Sequence, residues 1–260
     1  MNKLPLVSII TVVYNNVEHV ESAINSVYDQ DYSNIEHIVF DGGSTDGTVE
    51  VIQNNIEKIS LFRSEKDQGI YDALNKAIKI ASGSIIAILH SDDLFASNSA
   101  VSLSVERMLT KESEICFSDM IIVNRGNEKI YRYYKSSYFK KWLFRIGWMP
   151  PHPTCFIEKE LFNKFGHYDL KYKITADYDL LLRLLLVHSA SWVHLNKITV
   201  KMYNGGLSNS GFGSKKIIAN EINHSLKKNK IWSLKFLQLF RYVIRLSELI
   251  IVPSKKKYIS

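Results

Sequence analysis

Leu6-Val7-Ser8-Ile9-Ile10-Thr11-Val12-Val13 is an almost unbroken apolar, β-branched run that ends at polar Tyr14-Asn15-Asn16. A strand buried on both faces reads this way, whereas a half-exposed strand alternates apolar and polar side chains. Outward from this run the chain changes period repeatedly. Residues 17–28 carry apolar positions at helical spacing, and 35–40 form a second strand. Asp46 then offers the N-cap of a helix through Val51, Ile52 and Ile56. Residues 59–62 read as a short strand, 70–81 as a helix stopped at Ser82-Gly83, and 84–89 as a fourth strand. Such alternation predicts an α/β fold: a Rossmann-like, doubly wound, mostly parallel sheet flanked by helices, with right-handed crossovers. Ligands of these sheets bind beyond the carboxyl ends of the strands.

The rest of the chain is less regular. Residues 115–123 and 129–134 look like strands around the turn Asn124-Arg125-Gly126-Asn127. Trp148-Met149-Pro150-Pro151-His152-Pro153 is a stiff loop, and 179–187 is a strongly apolar helix. A Ser/Asn/Gly-rich segment from Gly205 to Gly213 precedes two helical stretches, 214–230 and 231–251. No repeat or low-complexity segment is visible.

At 260 residues, 46% of them apolar, the chain suits one large α/β domain or a domain with an added tail. Cys116 and Cys155 lie far apart without metal-like spacing, which points to a reducing compartment rather than a disulfide framework. The N-terminal residues do not read as a signal peptide, and no window is apolar enough to predict a membrane span. The net charge of +7 is uneven: from Lys215 onward eleven Lys/Arg face two acids, Glu221 and Glu248, so the tail carries +9 and residues 1–214 carry −2. A tail of that charge seeks an anionic surface. Nucleic acid is not the expected partner, because no recognition motif and no aromatic-studded basic face accompanies the charge.

The carboxylates are the informative feature. Asp41, in Asp41-Gly42-Gly43-Ser44-Thr45-Asp46-Gly47-Thr48, follows the second strand, and Asp92-Asp93 follow the fourth. Both clusters fall on one rim of the sheet. Adjacent acids after a buried strand are costly unless a cation or ligand compensates them. Mn2+ or Mg2+ on a diphosphate would do so, since carboxylate and phosphate oxygens share hard cations well. The competing reading is that Asp92-Asp93 caps a helix starting near Ser97, and that Asp41-Gly42-Gly43 is an ordinary turn.

Five blocks in order narrow the field. Residues 6–15 and the Asp41–Thr48 stretch resemble the opening blocks of the family 2 inverting glycosyltransferases. Ser64-Glu65-Lys66-Asp67-Gln68-Gly69-Ile70-Tyr71-Asp72-Ala73-Leu74-Asn75-Lys76 resembles the third, Ser91-Asp92-Asp93 the Asp-x-Asp-type metal motif, and Thr175-Ala176-Asp177-Tyr178-Asp179-Leu180 the block that supplies the base. The resemblance implies a GT-A fold over residues 1–213, with a nucleotide-binding half (1–95), an acceptor-binding half (96–213) and a basic helical tail (214–260). It implies that Thr11, Tyr14 and Asn15 line the nucleotide pocket and that Asp41 accepts a hydrogen bond from the base, most often uracil. Asp67 and Glu65 would face the donor, Asp92 the ribose or sugar, and Asp93 the metal. Asp177 would be the general base, with Asp179 the alternative, because Ala176 stands where many relatives carry Glu.

The chemistry this implies is transfer of a sugar from a nucleotide diphosphate donor, a UDP-sugar, to an acceptor hydroxyl. One base suffices for a single in-line displacement with inversion. His152, between prolines, would touch donor phosphate, metal or acceptor, or else be an ordinary loop histidine. Arg183 on the apolar helix needs a carboxylate such as Asp179, four residues earlier. Gly205–Gly213 reads as a lid over the donor or as a linker. In 231–251 the polar residues Lys235, Gln238, Arg241, Arg245 and Glu248 trace one narrow stripe on an otherwise apolar helix. That pattern suits a helix lying on an anionic membrane, with Lys255-Lys256-Lys257 adding attraction, or one packed on protein. The expected setting is cytoplasmic, peripheral on the inner face of the cell membrane, in assembly of cell-surface polysaccharide or lipid-linked glycan. Two alternatives remain at this point: a sugar-nucleotide nucleotidyltransferase, disfavoured because Tyr14-Asn15-Asn16-Val17-Glu18 replaces a Gly-rich basic loop, and a non-catalytic nucleotide-binding module.

Overall fold

The computed structural model describes residues 4–204, 212–233, 237–238 and 240–250, with the side chains of Phe212, Tyr242 and Ser247 excepted. The opening run is strand β1 (Val7–Val13), and every residue in it is buried. Ile10 and Val12 enter one apolar cluster, while Val7, Ile9 and Val13 enter clusters on the opposite face. Helices therefore cover both faces of the sheet. Helix α1 (Val20–Tyr28) and strand β2 (Ile35–Asp41) follow, then helix α2 (Thr48–Gln53), strand β3 (Leu61–Ser64), helix α3 (Ile70–Ile80) and strand β4 (Ile85–Ile88). β3, β2, β1 and β4 lie side by side, all parallel. Gly47, not Asp46, is the N-cap of α2, and the helix stops at Gln53 short of Ile56; Asp46 sits one residue earlier, its carboxylate accepting the N–H of Thr48 at 3.0 Å and the Thr48 hydroxyl at 2.5 Å.

Beyond β4 the sheet becomes mixed. Strand β5 (Leu94–Phe95), helix α4 (Ala100–Lys111), strand β6 (Ile115–Val123) and strand β7 (Ile130–Tyr134) lead to strand β8 (Phe156–Glu158), helix α5 (Lys159–Phe165), helix α6 (Ala176–Leu181) and strand β9 (Trp192–Tyr203). β8 runs antiparallel between β4 and β6, with Phe156 opposite Ala87 and Cys116. Its amino end therefore lies at the carboxyl end of β4. β6 and β9 run parallel to one another. The carboxyl ends of β1–β4, the start of β8 and the carboxyl ends of β6 and β9 thus share one rim. Helix α6 continues into a wide π-helical turn over Leu182–Val187, so the predicted apolar helix is present in two forms.

Helix α7 (Phe212–Lys228) sends Ile222 and Leu226 into the main core. Helix α8 (Phe240–Ile250) packs against β7. The predicted helix over 231–251 is thus shorter in the described residues. Residues 231–233 are not helical, and Lys235, Ile251, Lys255–Lys257 and most of the Gly205–Gly213 segment lie outside the described residues. The orientation of the polar stripe is the larger surprise. Gln238, Arg241 and Glu248 face the protein and are buried, whereas Val243 and Leu246 are each 61% exposed and Ile250 is 81% exposed. Glu248 accepts from Arg132 Nε at 2.6 Å, and Gln238 donates to Asn223 at 2.8 Å. Gln238, Arg241 and Glu248 turn inward because the body supplies partners for them, whereas Arg245 in the same stripe is exposed. No helix among the described residues is long and apolar enough to cross a membrane.

Candidate functional site

The loop after β1 and the turn after β2 are laced together. Asn15, held at φ +48°, donates its N–H to Ser44 Oγ (2.8 Å) and accepts the N–H of Thr45 on Oδ1 (2.9 Å). Asn16 donates from its backbone to Thr48 Oγ1 and from its side chain to Ser91 Oγ, both at 2.8 Å, which ties this turn to the acid pair beside Ser91. Gly42 is the point of convergence. A Cβ there would stand 2.4 Å from Asp67 Oδ2 and 3.5 Å from the Tyr14 ring. Only glycine lets the Asp67 carboxylate lie on the turn, so the first, second and third blocks meet at one spot.

Not every predicted donor residue faces open space. Tyr14 is exposed, Glu65 is exposed and paired with Lys76 at 2.9 Å, and Asp67 is half-buried. Thr11 instead sits inside the sheet, fully buried, sharing a 3.1 Å hydrogen bond with His37. Asp41 is also fully buried. Its carboxylate accepts from Gly43 and Ser44 N–H groups and from the Ser44 and Ser64 hydroxyls, the last at 2.6 Å. Four internal donors fill its lone pairs, so Asp41 shapes the turn, and a nucleobase contact would require exchanging one of them.

The acid pair behaves differently. Asp93 is fully buried, and neither of its carboxylate oxygens has a hydrogen-bond partner among the described residues. Burial, with Asp92 next to it, pushes its carboxyl well above the usual carboxylate range. The capping reading fails, because α4 starts only at Ala100 behind Ser99. Asp92 is half-buried and lines a small cavity with His19, Ser22, Leu94, Arg125 and Tyr203. A larger open depression, lined by Leu4, Tyr32, Val105 and Leu109 among others, lies at the amino ends of β1 and β2, away from the acids.

Asp177 opens α6 and is half-buried. Its Oδ1 accepts the N–H of Tyr178 at 2.7 Å, and burial raises its carboxyl to about 6 despite that bond. Asp179, the alternative base, is fully buried and engaged. It accepts from Arg183 Nε at 2.9 Å and from the Ser225 hydroxyl at 2.6 Å. The predicted Arg183–Asp179 pair is present, and Arg183 also donates to the carbonyls of Phe165 and His167. His152 is buried rather than exposed. Its Nε2 shares a 2.7 Å hydrogen bond with the Tyr168 hydroxyl, and its ring lies 6.4 Å from that of His90, the residue just before Ser91. Burial pushes its imidazole down to about 3, so it is neutral at working pH.

Sequence reasoning missed Tyr71, Tyr168 and Glu221, which neighbour the Asp177 carboxyl, and Asn75, which holds Tyr168. Glu221 carried a signal: it is one of two acids in a tail with eleven Lys/Arg. Both are anchors, Glu221 on residues 173–175 and Glu248 on Arg132.

The sequence profile of glycosyl transferase family 2 matches residues 8–168, which take in the blocks built around the rim above from Ser8 onward. The chain belongs to that family. An uncharacterized glycosyltransferase of Mycobacterium tuberculosis is 35% identical to this family 2 chain over 194 residues, covering 72% of this chain and 71% of the relative. A PGL/p-HBAD biosynthesis glycosyltransferase of Mycobacterium bovis is 26% identical over 212 residues, covering 79% and 80%. Two solved structures share the fold. Staphylococcus aureus TarS, residues 1–349 in complex with UDP-GlcNAc, superposes with TM-score 0.64 at 18% identity, covering 85% of this chain and 69% of that one. A mannosyltransferase from Pyrobaculum calidifontis, in complex with GDP-Man and Mn2+, gives 0.62 at 18%, covering 87% and 64%. The fold of this family 2 chain is GT-A-type, a mixed sheet flanked by helices with a helical C-terminal portion.

Proposed function

We propose that this chain transfers a sugar, with inversion, from a nucleotide diphosphate donor, a UDP-sugar, to an acceptor hydroxyl, and that the reaction depends on Mn2+ or Mg2+. The observation that carries the reading is Asp93: a fully buried carboxylate with two unpartnered oxygens, at the carboxyl end of a strand that abuts the nucleotide-side turns. Such a group is costly unless a cation completes it, and carboxylate oxygens suit a hard divalent ion. Asp93 would hold the ion, with half-buried Asp92 toward ribose or sugar. Once bound, the ion would stabilise negative charge on the departing diphosphate. Tyr14, Asn15, Glu65 and Asp67 would bind the donor, with Asp41 and Thr11 fixing the turn and strand behind them. Asp177 would take the acceptor proton. Its carboxyl, raised to about 6, is ionised at neutral pH and still basic enough for that task. His152, neutral and tied to Tyr168, would support the wall of the site near the metal motif.

The finer setting belongs to the same reading. The acceptor would be a glycan or lipid-linked glycan of cell-surface polysaccharide assembly. The protein would be cytoplasmic and peripheral on the inner membrane face, with the outward apolar face of α8 and the basic tail as its contact. Relatives that carry UDP-GlcNAc and GDP-Man make those two donors the first to test. Release of UDP or GDP with Mn2+ should be readily measured for wild type, and Asp177→Asn should lower it by about 10²–10⁴-fold. Undiminished turnover in Asp177→Asn would remove the base. Nucleotide binding without any turnover by the wild type would favour a binding module instead.

A further inference from the structure

Two residues one turn apart on α3 reach from the donor half to the segment that carries Asp177. Asn75 clasps Tyr168 in both directions: its Nδ2 donates to the Tyr168 carbonyl at 2.8 Å, and its Oδ1 accepts the Tyr168 N–H at 3.0 Å. Tyr71, four residues earlier on the same face, stacks on the Tyr168 ring with centroids 5.6 Å apart. Its hydroxyl donates to the carbonyl of Ile174 at 2.6 Å.

The bond to Ile174 fixes the backbone three residues before Asp177, and the same hydroxyl lowers the Asp177 carboxyl against the stronger, raising effect of burial. The other titratable groups that face Asp177 offer no substitute. Glu221 on α7 repels its charge, and Tyr168, Cys155 and Tyr134 stay neutral because burial raises each of them. α3 also begins where the donor loop ends. Gly69 donates its N–H to Asp67 Oδ1 at 2.7 Å, and Lys76 ties Glu65 to the helix at 2.9 Å.

We infer that Tyr71 is a positioning residue, a strut from the donor side of the cleft whose hydroxyl, bonded to the Ile174 carbonyl, holds the segment that carries Asp177 in place. The inference rests on the reading of Asp177 as the base. Without the hydroxyl, the carboxylate keeps the Tyr178 N–H and its own backbone N–H and becomes harder to ionise.

The test is a carbon-13 NMR titration of the aspartate carboxyls in the full chain, with Asp177 assigned from the signal lost in Asp177→Asn. The wild-type midpoint should lie near 6. Tyr71→Phe should move it upward by about half a unit or more. Asn75→Ala, which releases the ring on which Tyr71 stacks, should move it in the same direction. The acid limb of Mn2+-dependent UDP-GlcNAc or GDP-Man turnover should follow the NMR midpoint, an effect that simple loss of packing would not produce. An unchanged Asp177 midpoint in both variants, each still folded by circular dichroism, overturns the strut. Wild-type turnover in Asp177→Asn overturns the base reading alone, since the titration does not depend on turnover.

Discussion

Glu221 Oε2 receives both the N–H and the hydroxyl of Thr175, each at 3.0 Å. The same carboxylate takes the N–H of Lys173 at 2.7 Å and of Ile174 at 3.1 Å. One side chain of α7 thus fixes three consecutive residues immediately before the helix that carries Asp177. Glu221→Gln puts an amide NH2 where one oxygen accepted. We expect a loss of about 1–3 kcal/mol in stability, read as a lower melting temperature. Turnover should fall by about tenfold or more through misplacement of Asp177, while UDP affinity, measured by calorimetry, stays close to wild type.

Asp93 opposes folding as long as nothing compensates it. Asp93→Asn should therefore melt at a higher temperature than wild type in EDTA, because a buried uncharged amide replaces a buried unpartnered acid. Mn2+ with UDP should raise the melting temperature of wild type and leave the variant unchanged. A wild type that gains nothing from Mn2+ with UDP would contradict the metal assignment.

Gly42→Ala places a methyl 2.4 Å from Asp67 Oδ2. The carboxylate must swing away, taking the Gly69 contact and the start of α3 with it. Donor affinity should drop by about tenfold or more, the equivalent of losing one charged hydrogen bond, with a circular dichroism spectrum like that of wild type.

The outward face of α8 bears on where the protein works. Val243→Asp and Leu246→Asp replace side chains that are each 61% exposed, so little core packing is disturbed. Both variants should keep UDP-GlcNAc or GDP-Man turnover yet lose cosedimentation with vesicles rich in anionic lipid. If cosedimentation is unchanged and the variants instead shift from dimer to monomer in light scattering, the face serves a second copy of the chain.

Buried histidines set the acid limit of stability. Burial pushes the His37 imidazole down to about 4, against 6.5 for a free side chain. As pH falls from 6.5 toward 4, the unfolded chain binds a proton there that the folded chain refuses, so stability declines by up to about 1.4 kcal/mol per pH unit. Asp177 acts oppositely. Its carboxyl, raised to about 6, takes its proton earlier in the folded state, which recovers stability as pH falls from 6 toward 3.8. Melting curves of His37→Gln should show a shallower loss between pH 6.5 and 4.5 than wild type.

Much of this was written in the sequence. The continuous run at 7–13 announced a strand covered on both faces, and the acids that follow the second and fourth strands fell on one rim, because parallel strands must end together. What the sequence withheld concerns direction. In a strand buried on both sides nothing in the pattern says which way Thr11 points, and it points into the sheet toward His37. His152 sits in a proline-rich loop that looks exposed, yet Tyr168, sixteen residues on, draws it inside. The stripe on α8 resembled a wet face because Arg132, its partner, lies more than a hundred residues away in the chain. Polar residues follow complementary groups, and those are brought near only by the finished fold.

The reversal of β8 within the sheet also determines how such a scaffold can diversify. Because this strand runs toward the far edge between β4 and β6, the connection that enters it arrives beside Ala87 and the acids, while the one that leaves it, at Glu158, emerges beside Ile85 on the opposite side. Lengthening the chain before Phe156 remodels the ground on which an acceptor would rest. The same insertion after Glu158 alters a remote surface. New acceptor preferences can therefore evolve through one entrance without retuning the nucleotide turns.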